Sequence, residues 1–257
     1  MTTPEEDRWF WQQNVNYATE IGRAIHEHVR EATPVTRALE PFKNRINSGL
    51  ESLRALHRHA QHDFRADGMT VLRAMYDAQL QALYILANPA KADERAQSFL
   101  DFRWIEQRRM QELLEGNPTQ LAQTLLKSPR RAEGEAAREE NFQRLRPNYL
   151  TRKGKLRADW YPGTLRELAE AVGLQSEYEI LQRTLSGAVH STPTALLAGL
   201  TFSDPEHLLL IGWRITFRVL GRIGQHHGAP LEPEHEEVVR DAMRNLYDRP
   251  AADVVDQ

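Results

Sequence analysis

Arg183, Ser186 and His190 are spaced three and four residues apart. On a helix of 3.6 residues per turn this stacks them on one side, with the outer two about 20° apart. A guanidinium, a hydroxyl and an imidazole on one line can converge on a single anion, the arginine giving fixed charge and the histidine a proton that moves near neutral pH. Ser191, Thr192 and Pro193 follow at once, and a proline so close ends or kinks the helix at the histidine. A helix C-terminus favours imidazolium while Arg183 opposes it, so the ring is expected to titrate near neutrality. Tyr178, Leu181, Leu185, Ala188 and Val189 fall on the opposite, apolar face. Periodicity alone allows a plainer reading, because any surface helix carries a polar face of this kind.

A second helix sharpens the choice. From Met69 to Ala87 the chain is apolar around most of a helical circumference, with Tyr76 and Tyr84 on one stripe, yet it holds Arg73 and Asp77 four residues apart. A helix apolar nearly all round is central to its fold, and charges carried there must be paired. The pair is either a buried structural bridge or part of a polar site. If the two helices touch, the composite site is Arg73, Asp77, Arg183, Ser186 and His190, with Tyr178 at its edge.

Two other groupings carry possible chemistry. His59, His62 and Asp63 could ligate a metal through imidazole and carboxylate, but His57 points away and Arg54, Arg58 and Arg65 are poor company for a divalent cation; the expectation is no metal and no cofactor. The stretch 127–160 gathers basic residues, and from Arg144 to Arg157 it has no acid. Arg144, Arg146, Arg152, Lys153, Lys155 and Arg157 would contact phosphates there, with Tyr149 and Trp160 available for base stacking; the alternative is a solvated loop. No GxGxxG, Walker-type or GxSxG motif occurs, which argues against dinucleotide, nucleotide and α/β-hydrolase chemistry.

The elements that must position these residues are helices. Alternating β-branched runs are absent, while Ala, Leu, Arg, Glu and Gln dominate long stretches, so the expected fold is all-α, an antiparallel multi-helix bundle. Helices are predicted at 5–31, 35–62, 68–87, 90–115, 118–127, 132–145, 164–172, 175–190, 193–200, 204–225 and 233–247. Thr33-Pro34, Asn88-Pro89 and Asn117-Pro118 each place a capping side chain before a proline at the first helical position. Residues 1–65 read as an N-terminal helical arm packed on the core, and 66–257 as the main domain with the basic excursion 127–160.

With 257 residues and 40% hydrophobic side chains the chain is long enough for a real core. Its formal charge of −3 means that nucleic-acid contact would need a local patch. Zero cysteines exclude disulfides and thiolate chemistry and suit a cytoplasmic protein. The acidic N-terminus does not read as a signal peptide. Arg214, Arg218 and Arg222 interrupt the apolar stretch His207 to Gly224, so it reads as a core helix, with no membrane association expected.

The run from Trp160 to Gly173, containing Arg166-Glu-Leu-Ala, then Tyr178 and Ser186-Gly-Ala-Val-His190, resembles a bacterial all-helical domain family of unknown function with a Trp…RELA…Tyr…Ser-x-x-x-His stretch. Arg73, Asp77, Tyr84-Ile-Leu and Asn88-Pro89 resemble the upstream part of that pattern. More loosely, an Arg and a His enclosing six residues, as Arg183 and His190 do, are similar to the motif of HEPN domains. That resemblance implies a HEPN-like core with an N-terminal helical extension, a homodimer, and metal-independent RNA cleavage in a toxin or defence setting. His190 would then be general base or acid and Arg183 the stabiliser of the charged phosphorane, with Asp77 or Tyr178 orienting the imidazole. The alternative is a non-catalytic helical module binding a nucleic acid, a protein or a small anion.

Overall fold

The computed structural model describes residues 34–58, 64–127, 134–189 and 205–229, with isolated positions at 20, 22–24, 26–27, 30 and 237. Among them the fold is all-α: α1 (Pro34–Arg58), α2 (Phe64–Leu86), α3 (Ala92–Glu115), α4 (Gln120–Leu126), α5 (Glu135–Leu145), α6 (Leu165–Ala171), α7 (Gln175–Val189) and α8 (Pro205–His226), with short 3₁₀ turns at Pro89–Lys91 and Arg146–Tyr149. The helices predicted at 5–31, 193–200 and 233–247 lie outside the described residues or barely touch them.

Packing divides the described chain into two compact units, Lys91–Thr164 and the residues on either side of it. The flanking unit is organised by α2, which packs against α1, α6, α7 and α8. Its Leu72, Met75, Tyr76, Leu80, Ala82 and Ile85 are all fully buried. This is what an apolar circumference demands, since each face needs a covering neighbour to keep it from water. The boundary expected at 65/66 falls inside the first turn of α2, whose side chains share one core with those of α1: Leu39, Ile46 and Leu53 of α1 are as buried as the α2 residues they join.

Close approach in this core rests on two glycines. A Cβ at Gly49 of α1 would overlap Cγ and Sδ of Met75, and one at Gly212 of α8 would stand 2.7 Å from Leu53 Cδ1. Gly49→Ala should therefore destabilise. Replacing a mid-helix glycine by alanine gains up to about 1 kcal/mol, but overpacking against a fully buried methionine costs about 1–3 kcal/mol, so a net loss near 1 kcal/mol is expected in chemical denaturation. A more stable variant would show that α1 and α2 separate without cost.

In the second unit α3 packs with α4, α5 and the turn Arg146–Tyr149. Two predicted starts are displaced. Asn88 Oδ1 accepts from Ala90 N at 3.0 Å and Asn117 Oδ1 from Thr119 N at 3.0 Å. These are local turns in which the side chain bonds the backbone two residues on, so each helix begins later. Thr119 caps α4, its Oγ1 accepting from Ala122 N at 3.3 Å.

Candidate functional site

Of the residues singled out from sequence, Arg73, Asp77 and Ser186 come together where α2 meets α7. Arg73 Nε donates to Asp77 Oδ2 at 3.0 Å, and Arg73 Nη1 donates to Ser186 Oγ at 3.3 Å. The helical spacing of 73 and 77 puts both on the α7 side of α2. The Arg73 side chain is only 13% exposed and that of Asp77 30%, so the pair is shielded enough for its geometry to matter more than at an open surface. Two different guanidinium nitrogens reach two different partners, an arrangement a lysine ammonium does not reproduce.

Arg183 stands in α7, but its side chain is outside the described residues, and His190 follows Val189, the last described residue of that helix. Tyr178 is half-buried near the start of α7. Eight residues at 1.5 Å per residue put it about 12 Å from Ser186 along the axis, and it makes no hydrogen bond with Arg73, Asp77 or Ser186.

Four residues not assigned to the site from sequence extend this polar seam to α8. Glu177, in the first turn of α7, accepts from Arg218 Nη1 at 2.8 Å and Nη2 at 3.1 Å. Arg214 Nη2 lies 2.9 Å from the same carboxylate. Arg214 and Arg218, four residues apart, thus clamp one acid from one face of α8. The interruption of an apolar helix by regularly spaced arginines was the available signal, and it had served only to exclude a membrane span. Tyr76 is the fourth: it is fully buried, and its hydroxyl has no hydrogen-bond partner among the described residues. Burial pushes its phenol well above the ordinary value near 10, and the charge of Glu177 pushes the same way, against Arg218, Arg214 and Arg73. The phenol thus lies within electrostatic reach of both ion-pair groups.

Tyr76→Phe should leave stability unchanged or raise it by about 1 kcal/mol at neutral pH, since it removes a buried hydroxyl that has no partner. The sign at high pH follows from the raised folded value. The folded protein holds the phenolic proton after the unfolded chain has lost it, so this stabilisation is complete below about pH 10 and declines as pH rises further. The phenylalanine variant should lack that part of the alkaline loss, read by urea denaturation at neutral and alkaline pH. A loss of stability at neutral pH would show that the hydroxyl is bonded.

The basic segment is built of turns around one isolated bridge. Leu150 and Leu156 form an antiparallel bridge, and the tip is closed by Thr151 N donating to Lys155 O at 2.7 Å and Gly154 N to Thr151 O at 2.9 Å. Gly154 has φ +73°, a conformation that glycine adopts without strain. Arg144, Arg146, Arg152, Lys153 and Lys155 are exposed, but Arg157 is half-buried. Its Nη2 donates to Asn148 O at 2.8 Å and its guanidinium lies over the Tyr149 ring at 5.0 Å. The stacking role expected for Tyr149 and Trp160 is corrected: they are 3% and 5% exposed. Tyr149 packs on Phe102 and its hydroxyl donates to Ser98 O at 2.7 Å, while Trp160 packs edge-on to Phe99. Both rings pack into the second unit instead of facing a ligand.

A cleft of about 370 Å³ between α3 and α5 is lined by Trp104, Met110 and Phe142 and contains none of the predicted site residues. Its Arg108 is held by Glu112 and Glu139. Among the described residues no cluster suits a metal ion; His59, His62 and Asp63 lie outside them. No described helix is long and apolar enough to cross a membrane.

The profile of one protein family matches residues 45–207, most of the chain and every sequence-predicted site residue. The protein belongs to DUF5677, a family of unknown function. Membership in DUF5677 supplies kinship without chemistry, and the match ends before Arg214 and Arg218, so the α8 half of the seam lies beyond it. No curated protein and no solved structure matches the chain.

Proposed function

We propose that this DUF5677 protein is a HEPN-like, metal-independent RNA endonuclease of the cytoplasm, acting as a homodimer. The observation that carries the reading is the Arg73–Ser186 hydrogen bond. It ties the charged stripe of α2 to the residue lying three positions after Arg183 and four before His190 in the sequence, which supports reading them as parts of one site.

In the proposed reaction His190 takes the proton of a ribose 2′-hydroxyl, whose oxygen bonds to the adjacent phosphorus. The bond from phosphorus to the 5′-oxygen breaks, and that oxygen takes a proton from His190 of the partner subunit. A cyclic phosphate and a 5′-hydroxyl result. Arg183 stabilises the phosphorane charge, and Arg73, held by Asp77 and Ser186, fixes the α2 side. The test is cleavage of end-labelled single-stranded RNA in the presence of EDTA by wild type and His190→Ala. Equal cleavage by both would reject the reading.

One observation favours a non-catalytic module instead: each described guanidinium of the seam already has a carboxylate partner. On that reading the same assay shows intact RNA, with binding of RNA or another anion lost on Arg183→Ala.

A further inference from the structure

We infer that the hairpin Leu150–Leu156, with Arg144 and Arg146 at its base, is a docking finger for the phosphate backbone of nucleic acid and reads no base. This goes beyond the proposed α2–α7 site, shares no residue with it and does not depend on it.

Four observations carry the inference. First, five cations stand exposed along fourteen residues with no acid among them. Among the described residues Arg146, Arg152, Lys153 and Lys155 make no ion pair, and Arg144 bonds the neutral side chain of Asn141 at 3.0 Å. Unlike the guanidiniums of the seam, which meet carboxylates, these charges are available to an outside anion.

Second, the finger is held in place before any ligand arrives. The bridge and the turn bonds fix the tip, where Thr151 Oγ1 also accepts from Lys155 N at 3.2 Å. The Tyr149 ring anchors the base, with Arg157 across it and Arg157 N donating to Tyr149 O at 2.8 Å. A held loop loses less conformational freedom on binding than a free one. Arg157 therefore acts as a strut and is not one of the phosphate contacts.

Third, the aromatic rings that could have stacked on bases are buried. Without stacking platforms, charge remains the means of attraction, and charge is indifferent to base identity. Fourth, the tip from Thr151 to Lys155 has no apolar side chain to insert among lipid tails, and membrane surfaces are gripped most firmly by charge and insertion together. A polyanionic strand fits the finger better than a lipid surface.

The test uses strands that the proposed ribonuclease cannot cut, because deoxyribose lacks the attacking hydroxyl. Binding of thymidine and adenosine oligodeoxynucleotides of equal length to the full chain is followed by fluorescence anisotropy across a salt series. A single-stranded contact contributes about −0.7 to the slope of log K against log salt. Replacing Arg152, Lys153 and Lys155 together by alanine should flatten the slope by about 2 and weaken binding at least about tenfold at physiological salt. The two sequences should bind within about twofold of each other. Circular dichroism checks that the triple variant keeps its helices, and Lys153→Glu alone should weaken binding in the same direction.

No binding by wild type, an unchanged slope in the triple variant, or strong preference for one base would each overturn the inference. So would capture by phosphatidylcholine vesicles containing phosphatidylserine with no binding of either strand. RNA cleavage lost in His190→Ala while this binding persists would separate the two proposals.

Discussion

Glu177→Ala should lower the free energy of unfolding by about 2–3 kcal/mol, the largest stability loss expected from a single charged residue of the seam. One carboxylate receives three guanidinium nitrogens from two arginines. Removing it takes away the carboxylate that joins Arg214 and Arg218, like charges four residues apart on α8, beside a Tyr76 hydroxyl with no described partner. Breaking a fully buried pair costs about 3–5 kcal/mol, whereas exposed pairs are worth about 0–1. Glu177 is 18% exposed, Arg218 23% and Arg214 37%, which places this triad between those limits and nearer the first. Glu177→Gln should lose less, because the amide keeps one acceptor and the side-chain shape. High salt should narrow the gap between wild type and variant by screening the repulsion between Arg214 and Arg218. Urea denaturation measures all three, and a loss below about 0.5 kcal/mol would mean that water already screens the triad. The same variant also removes one of the two upward pushes on the Tyr76 phenol, so its titration should move down.

What was legible in the sequence was whatever depends on period. The apolar circumference of 69–87 announced a central helix, and α2 is one. The spacing of Arg73 and Asp77 announced their bridge. Whether α7 met α2 could only be posed as a condition, because Arg73 and Ser186 are 113 residues apart and no helical period spans that distance. The Glu177–Arg214–Arg218 triad was hidden for the same reason. An acid in a first turn reads as a favourable charge at a helix N-terminus, and Arg218 reaches it from 41 residues away. Tyr149 and Trp160 misled because their basic neighbours suggested a ligand face, whereas the rings had Phe102 and Phe99 to pack against. Asn88 and Asn117 misled differently: an asparagine before proline caps a helix and closes a turn equally well, and here the turn won both times.

His190→Ala should reduce RNA cleavage in EDTA by about 10²–10⁴-fold, the range for losing a general acid or base. The comparison that gives this meaning is Arg73→Lys. Lysine keeps the positive charge but cannot place two separate donors on Asp77 Oδ2 and Ser186 Oγ. If Arg73 acted through charge alone, Arg73→Lys would cleave like wild type. If it acts by fixing α7 against α2, the variant should lose about tenfold in kcat, since misplacement of about 1 Å can cost about 10²-fold. The pH profile then separates positioning from chemistry. Arg73→Lys should keep the limb set by the His190 imidazole and lower its height, while His190→Ala should abolish that limb. Should both variants cleave as fast as wild type, the seam is a structural joint, and the bond between Arg73 and Ser186 serves only to hold α2 and α7 together.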